Sequence, residues 1–215
     1  MLKHALVATA ITFASLSAQA QVVLLSENFD DVFNLAGWVK TYESTPGGST
    51  QWFQGDQTIF AAQSGAPESY LAANFGSAPA NGQIRDWLIT PIFSTELRGE
   101  VTFWAKADLI PTYADKISFG FSSGSSNTGS FALGAVTTVA GDWTKYTVKY
   151  AAQGVGSTAR FGILYSGAAD QSNYVGIDTL KVTAVPEPTT WALMAVGLAG
   201  VALRGRRALA KRAAA

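Results

Sequence analysis

Three carboxylates, Glu27, Asp86 and Asp178, stand where alternating strand patterns put apolar neighbours beside them. Residues two apart on a strand share a face, so Glu27 goes with Leu25 and Phe29, Asp86 with Leu88, and Asp178 with Gly176 and Leu180. An ionised carboxylate turned toward a core is costly unless a cation or several donors meet it. The single histidine, His4, lies in a leader-like segment and the chain has no cysteine, so Ser-His-Asp and Cys-His nucleophiles and zinc sites built on His or Cys are excluded from the body. What remains is oxygen chemistry. A structural Ca2+ ion, which takes six to eight oxygen ligands, is one expected partner for the three carboxylates. The alternatives are a solvated strand end, a bulge that reverses the alternation, or pairing with Arg85 or Arg160. Catalysis would have to run on a carboxylate pair astride a glycosidic bond, and no short motif announces one.

Ring surfaces offer the other chemistry. Trp104 and Trp143 fall on polar strand faces beside Lys106 and Lys145, an arrangement that could stack sugar rings and hydrogen-bond their hydroxyls. The competing reading is that a second sheet or a loop covers both tryptophans, since large aromatics are mostly buried.

Short segments must position these groups. "VTFWAKA" (101–107), "KISFGFS" (116–122) and "WTKYTVKY" (143–150) alternate apolar and polar residues, the mark of antiparallel strands with one face wet. Further strands are predicted at 22–29, 38–42, 69–75, 86–90, 159–165 and 174–182, separated by Gly, Ser, Asn and Asp clusters. No long run of helical period appears. The pattern predicts an all-β fold, a two-sheet antiparallel jelly-roll sandwich over residues 21–184, with a signal helix before it and a short apolar helix after it.

The two ends read as addresses. Lys3 and His4, the apolar stretch 5–16 and Ala18-Gln19-Ala20 compose an export signal over residues 1–20, cut by signal peptidase before Gln21. At the other end, Pro186-Glu187-Pro188 precedes an apolar run from Trp191 to Leu203 and the basic cluster Arg204, Arg206 and Arg207. That run is 13 residues long, where a bilayer takes about 20, so it is a poor permanent anchor. The formal net charge of zero conceals an acidic body: residues 21–188 hold nine basic and 15 acidic side chains, a net charge of −6. Such a body does not suit nucleic acid, whose phosphates need a positive surface.

The tail, residues 185–212, resembles the PEP-CTERM sorting signal in all three of its parts, taken in order. The resemblance implies cutting near Pro186-Glu187-Pro188 by a membrane-embedded exosortase in a Gram-negative-type bacterium. The precursor is then transiently held at the inner membrane by its tail before passing to the cell surface or outside. The body is similar to the choice-of-anchor J group and to cleaved-adhesin and MAM-like jelly rolls, on "SENFDD" followed by Gly37-Trp38, "DWLITP" (86–91), "VTFWAKA", "GDWTKYTV" (141–148) and "VGIDTLKV" (175–182). That resemblance implies an adhesive or carbohydrate-associated role with extracellular polysaccharide as partner, and a structural calcium at Glu27 and Asp178. Thr179 stands where relatives often carry a second acid. The alternative function is a carboxylate-dependent glycoside hydrolase.

Overall fold

The computed structural model describes residues 21–185, with Gly197 alone beyond them. The leader, Pro186-Glu187-Pro188, the apolar run and Arg204, Arg206 and Arg207 lie outside the described residues, as do both expected terminal helices. The chain between is built of β1 (Val22–Glu27), β2 (Val39–Tyr42), β3 (Phe53–Gln54), β4 (Leu71–Asn74), β5 (Gln83–Ile89), β6 (Phe93–Ser94) and β7 (Gly99–Ala107). It continues through β8 (Lys116–Ser122), β9 (Ala132–Leu133), β10 (Thr137–Thr138), β11 (Thr144–Tyr150), β12 (Thr158–Ala168) and β13 (Tyr174–Ala184).

These strands form two antiparallel sheets, a jelly-roll sandwich. One sheet runs β11-β7-β13-β4-β3, with β1 taking the same edge of β13 beyond β4; the other runs β10-β8-β12-β5-β2, with β6 on β12 and β9 on β8. Alternation decides which side chains enter the core. Val101, Phe103 and Ala105 of β7 are wholly buried, while Thr102, Trp104 and Lys106 between them are only half-buried. Phe103 packs edge-on to Phe119 and flat on Tyr146, with Phe161 of the opposite sheet 5.8 Å away.

The outer faces are not simply wet, as the alternation predicts. Loop 55–69 folds over the first sheet and lays Phe60 on Tyr70, with Tyr174 edge-on. Gly176 makes room for it, because a Cβ there would lie 2.8 Å from the Tyr70 ring and 2.9 Å from that of Phe60. Phe131 and Leu133 cover Trp87, Ile89 and Leu164 on the second sheet in the same way. Two small aromatic cores therefore sit outside the main one.

A sandwich of this kind has two ends. β13 runs between them, from Tyr174 to Ala184, eleven residues that span about 33 Å at ~3.3 Å each. At its start gather the β4–β5, β7–β8 and β12–β13 connections; at its finish, Ala184 pairs with Gly99 and with Val22, so the chain enters and leaves the body at one end.

Candidate functional site

Asp178 is wholly buried, but not between the sheets. β13 pairs with β7 through Asp178 opposite Trp104 and then resumes at Lys181 opposite Thr102, a bulge in which Thr179 has φ of 47°. One inserted residue reverses the alternation. Leu180 and Val182 thus continue the inner face of Ile177, and Asp178 points outward with Trp104, under loop 55–69. Its Oδ2 accepts from the backbone N–H of Gln63 (2.8 Å) and of Ser64 (3.1 Å), and its Oδ1 from the Thr179 N–H (2.5 Å) and hydroxyl (3.2 Å). Burial nevertheless outweighs these donors and pushes the carboxyl up to about 6.

Asp86 does face the core, between Ile84 and Leu88, with Tyr42 and Tyr165 opposite it on the two neighbouring strands. Ser44 Oγ donates to its Oδ1 at 2.9 Å; Oδ2 makes no hydrogen bond of normal geometry, although the Ser77 hydroxyl lies beside it. Its carboxyl is raised by burial. Glu27 is half-buried at the end of β1, where Oε1 accepts the Phe29 N–H at 2.9 Å. The three carboxylates therefore do not share one shell: among the described residues no three His, Cys, Asp or Glu side chains come close enough to hold a metal ion. Asp86 lies between the sheets and Asp178 outside them, so the calcium site expected from all three does not fit this arrangement. β5 turns Asp86 inward with Ile84 and Leu88, whereas β13 turns Asp178 outward on the face of Gly176.

The expected aromatic platform divides in two. Trp104 and Lys145 are register partners on β7 and β11 and remain at least partly exposed. Trp143 and Lys106 are used by the covering loop: the Trp143 ring meets Phe60 and Tyr70 edge-on, its Nε1 donates to Ala61 O at 2.9 Å, and the Lys106 ammonium sits 4.9 Å from the Phe60 ring centre. The Trp143 ring is thus held by the loop and remains only partly exposed.

A different concavity is open, and the sequence reading missed it. At the end where β13 starts, Gly47–Ser49, the turn Phe75–Ala80, Ile110, Tyr113 and the turn Ala169–Asn173 enclose a groove of about 820 Å³. Phe75, Ile110 and Tyr113 are all exposed. Its floor is braced from below by a buried acid: Asp115 Oδ1 accepts from Tyr165 Oη (2.7 Å) and the Asn173 N–H (2.9 Å), and Oδ2 from the Tyr174 N–H (3.2 Å). Burial raises the Asp115 carboxyl despite these three donors. Asn74 Oδ1 caps the turn that carries Phe75, accepting the Gly76 N–H at 2.9 Å and the Thr50 hydroxyl at 2.8 Å. Asp170 is the only carboxylate of the lining and gives one oxygen to the Asn81 N–H at 2.7 Å. The signal for this groove in the sequence was slight: Gly47-Gly48 and aromatics in connections rather than in strands.

Residues 184–207 match the PEP-CTERM protein-sorting motif. The chain carries that sorting signal. A PEP-CTERM motif indicates export, in keeping with the leader expected at the other end. Among the described residues no helix is long and apolar enough to cross a membrane. No curated protein matches the chain. Among solved structures the body is similar to cleaved adhesin domains of Lys-gingipain (Kgp) from Porphyromonas gingivalis W83. For the K3 domain the identity is 21%, the TM-score 0.56, and 76% of this chain and 99% of that one are covered. For the K1 domain the identity is 19%, the TM-score 0.57, and the coverage 75% and 98%. At such identity the likeness shows the fold, and it bears out the jelly-roll sandwich that the sequence predicts.

Proposed function

We propose that this is an exported, exosortase-sorted protein of the cell surface or extracellular matrix that binds polysaccharide without cleaving it. The observation that carries the reading is the groove. Its volume falls in the range of about 300–1,000 Å³ usual for ligand sites, and aromatic Phe75 and Tyr113 stand exposed along it. Aromatic rings bind the apolar faces of sugars, while Asp170, Asn173 and the backbone of Gly47 and Gly48 are at hand for hydroxyls. A glycosidase needs two carboxyl groups about 5–9.5 Å apart, and Asp170 stands alone in the lining. The shared fold with cleaved adhesin domains sets adhesion beside polysaccharide binding as the use to which the groove is put.

Affinity electrophoresis through gels that contain the producing cell's own exopolysaccharide tests the proposal. The wild type is expected to be retarded, Phe75→Ala and Tyr113→Ala each to weaken binding about tenfold, equal to about 1.4 kcal/mol, and Trp104→Ala to change it little. Equal retardation of wild type and both groove variants would overturn the assignment. Release of reducing sugar from the same polysaccharide, lost on Asp170→Asn, would establish the hydrolase instead.

A further inference from the structure

The end of the sandwich opposite the groove is built to stand close to something. There the Val185 N–H donates to Arg98 O at 2.8 Å, the last hydrogen bond of the body before the sorting motif runs on. Beside it, loops 94–98 and 153–157 are tied to one another. The Thr95 N–H donates to Ser157 O (2.9 Å), the Gln153 N–H to Thr95 O (2.8 Å) and the Gly156 N–H to Glu96 Oε1 (2.9 Å). The Thr95 hydroxyl adds a bond to Gln153 Oε1 at 3.2 Å, and that of Ser157 one to Gln153 O at 2.9 Å.

On this braced base stands Gly154-Val155-Gly156. Val155 is 97% exposed, and a Cβ added at either glycine would meet no atom within 4 Å. Gly154 and Gly156 have φ of 97° and 78°, values that β-carbons disfavour, so the tip is turned outward by residues that can take that backbone. Leu97 on the partner loop, and Val22 and Val23 at the start of β1, are exposed at the same end. An apolar side chain held clear of the body on a fixed base contributes nothing to the fold.

Chain length says what it faces. From Val185 to Trp191, where the apolar run of the sorting motif begins, there are six residue steps, which reach at most about 21 Å when fully extended. While that run sits in a bilayer, the end of the body that carries Val185 and Val155 is tethered within about 21 Å of the membrane, and the groove is at the far end of β13. We propose that Val155, supported by Leu97, dips into the interfacial lipid of the bilayer that holds the sorting tail, as a second, reversible contact that complements a run too short to anchor alone. Glu96 and Arg98, the two charged side chains of loop 94–98, are of opposite sign, so the contact is apolar rather than electrostatic. The proposal rests on the sorting motif and is independent of what fills the groove.

The chain has no cysteine, so single labelling sites can be introduced at will. The full-length precursor carrying Val155→Cys, or Ala80→Cys at the groove end, is labelled with the environment-sensitive fluorophore NBD and reconstituted into vesicles of phosphatidylethanolamine and phosphatidylglycerol. The label at position 155 is expected to shift to the blue and to be quenched several-fold more by doxyl-labelled lipid than by aqueous iodide, with the reverse at position 80. The shielding is expected to persist in about 0.5 M salt, where charge contacts are screened within ~4–5 Å. Equal access of iodide to both labels would overturn the proposal. So would protection from iodide and from doxyl lipid alike, which would mean that protein rather than lipid covers the tip, and so would release at high salt.

Discussion

Replacing Asp178 with asparagine sets burial against hydrogen bonding in a single side chain. The carboxylate accepts four bonds, from two backbone N–H groups of loop 55–69 and from the N–H and hydroxyl of Thr179. Each of these favours the ionised form, yet complete burial dominates and the carboxyl titrates near 6. In the unfolded chain an aspartate titrates near about 3.9. A carboxyl raised on folding gives a contribution that is fully present below about pH 3.9 and is lost as pH rises through its folded value. The gap of about two pH units, at ~1.36 kcal/mol each, is worth about 3 kcal/mol. Asparagine has the same size and does not ionise; its amide points donors at donors, which lowers stability by an amount that does not vary with pH. Urea unfolding of wild type and Asp178→Asn at intervals between pH 4 and pH 7 isolates the difference. The variant is expected to gain about 2 kcal/mol on the wild type across that window, the remainder of the change falling below pH 4. A difference that stays flat, or that moves the other way, would show that the four donors outweigh burial, and the reasoning would fail.

Other outcomes follow from the packing. Phe103→Ala empties the centre of the aromatic cluster with Phe119, Tyr146 and Phe161 and is expected to cost about 3–5 kcal/mol in denaturant unfolding. Asp86→Asn gives Oδ2 a donor in its place that can reach the Ser77 hydroxyl, now without a bond of normal geometry; a gain of about 1–2 kcal/mol at neutral pH is expected, and a loss would contradict this account of Asp86. Gly176→Val drives side-chain atoms into the Tyr70 and Phe60 rings, so loop 55–69 should lift, with faster proteolysis between residues 55 and 69 and a red-shifted Trp143 emission. Unchanged proteolysis would mean that the loop is not held by that contact.

Strands with several alternating residues were legible in the sequence: β7, β8 and β11 appear where "VTFWAKA", "KISFGFS" and "WTKYTVKY" place them, within two residues at either end. β3, β6, β9 and β10 have two residues each, too few to show a period. Asp178 keeps the face of Gly176 that alternation gives it but Leu180 does not, since a bulge moves every later side chain to the other face and Thr179 carries no mark of one. The four residues of the expected aromatic platform are divided by a feature that alternation does not show. Alternation assigns Trp143 to an outer face, but whether a distant loop covers that face depends on where Phe60 lands, 83 positions earlier in the chain. The groove lay beyond this kind of reading altogether, because its walls come from four separate connections that meet only once both sheets are closed.

The most direct measurement is a crystal structure of the protein soaked with oligosaccharides cut from the producing cell's exopolysaccharide. Sugar density between Phe75 and Tyr113, with a hydroxyl on Asp170 or Asn173, is the expected result. Density lying instead across Trp104 and Lys145, with the groove filled by solvent alone, would contradict the assignment of the binding site to the end of the sandwich remote from the sorting tail.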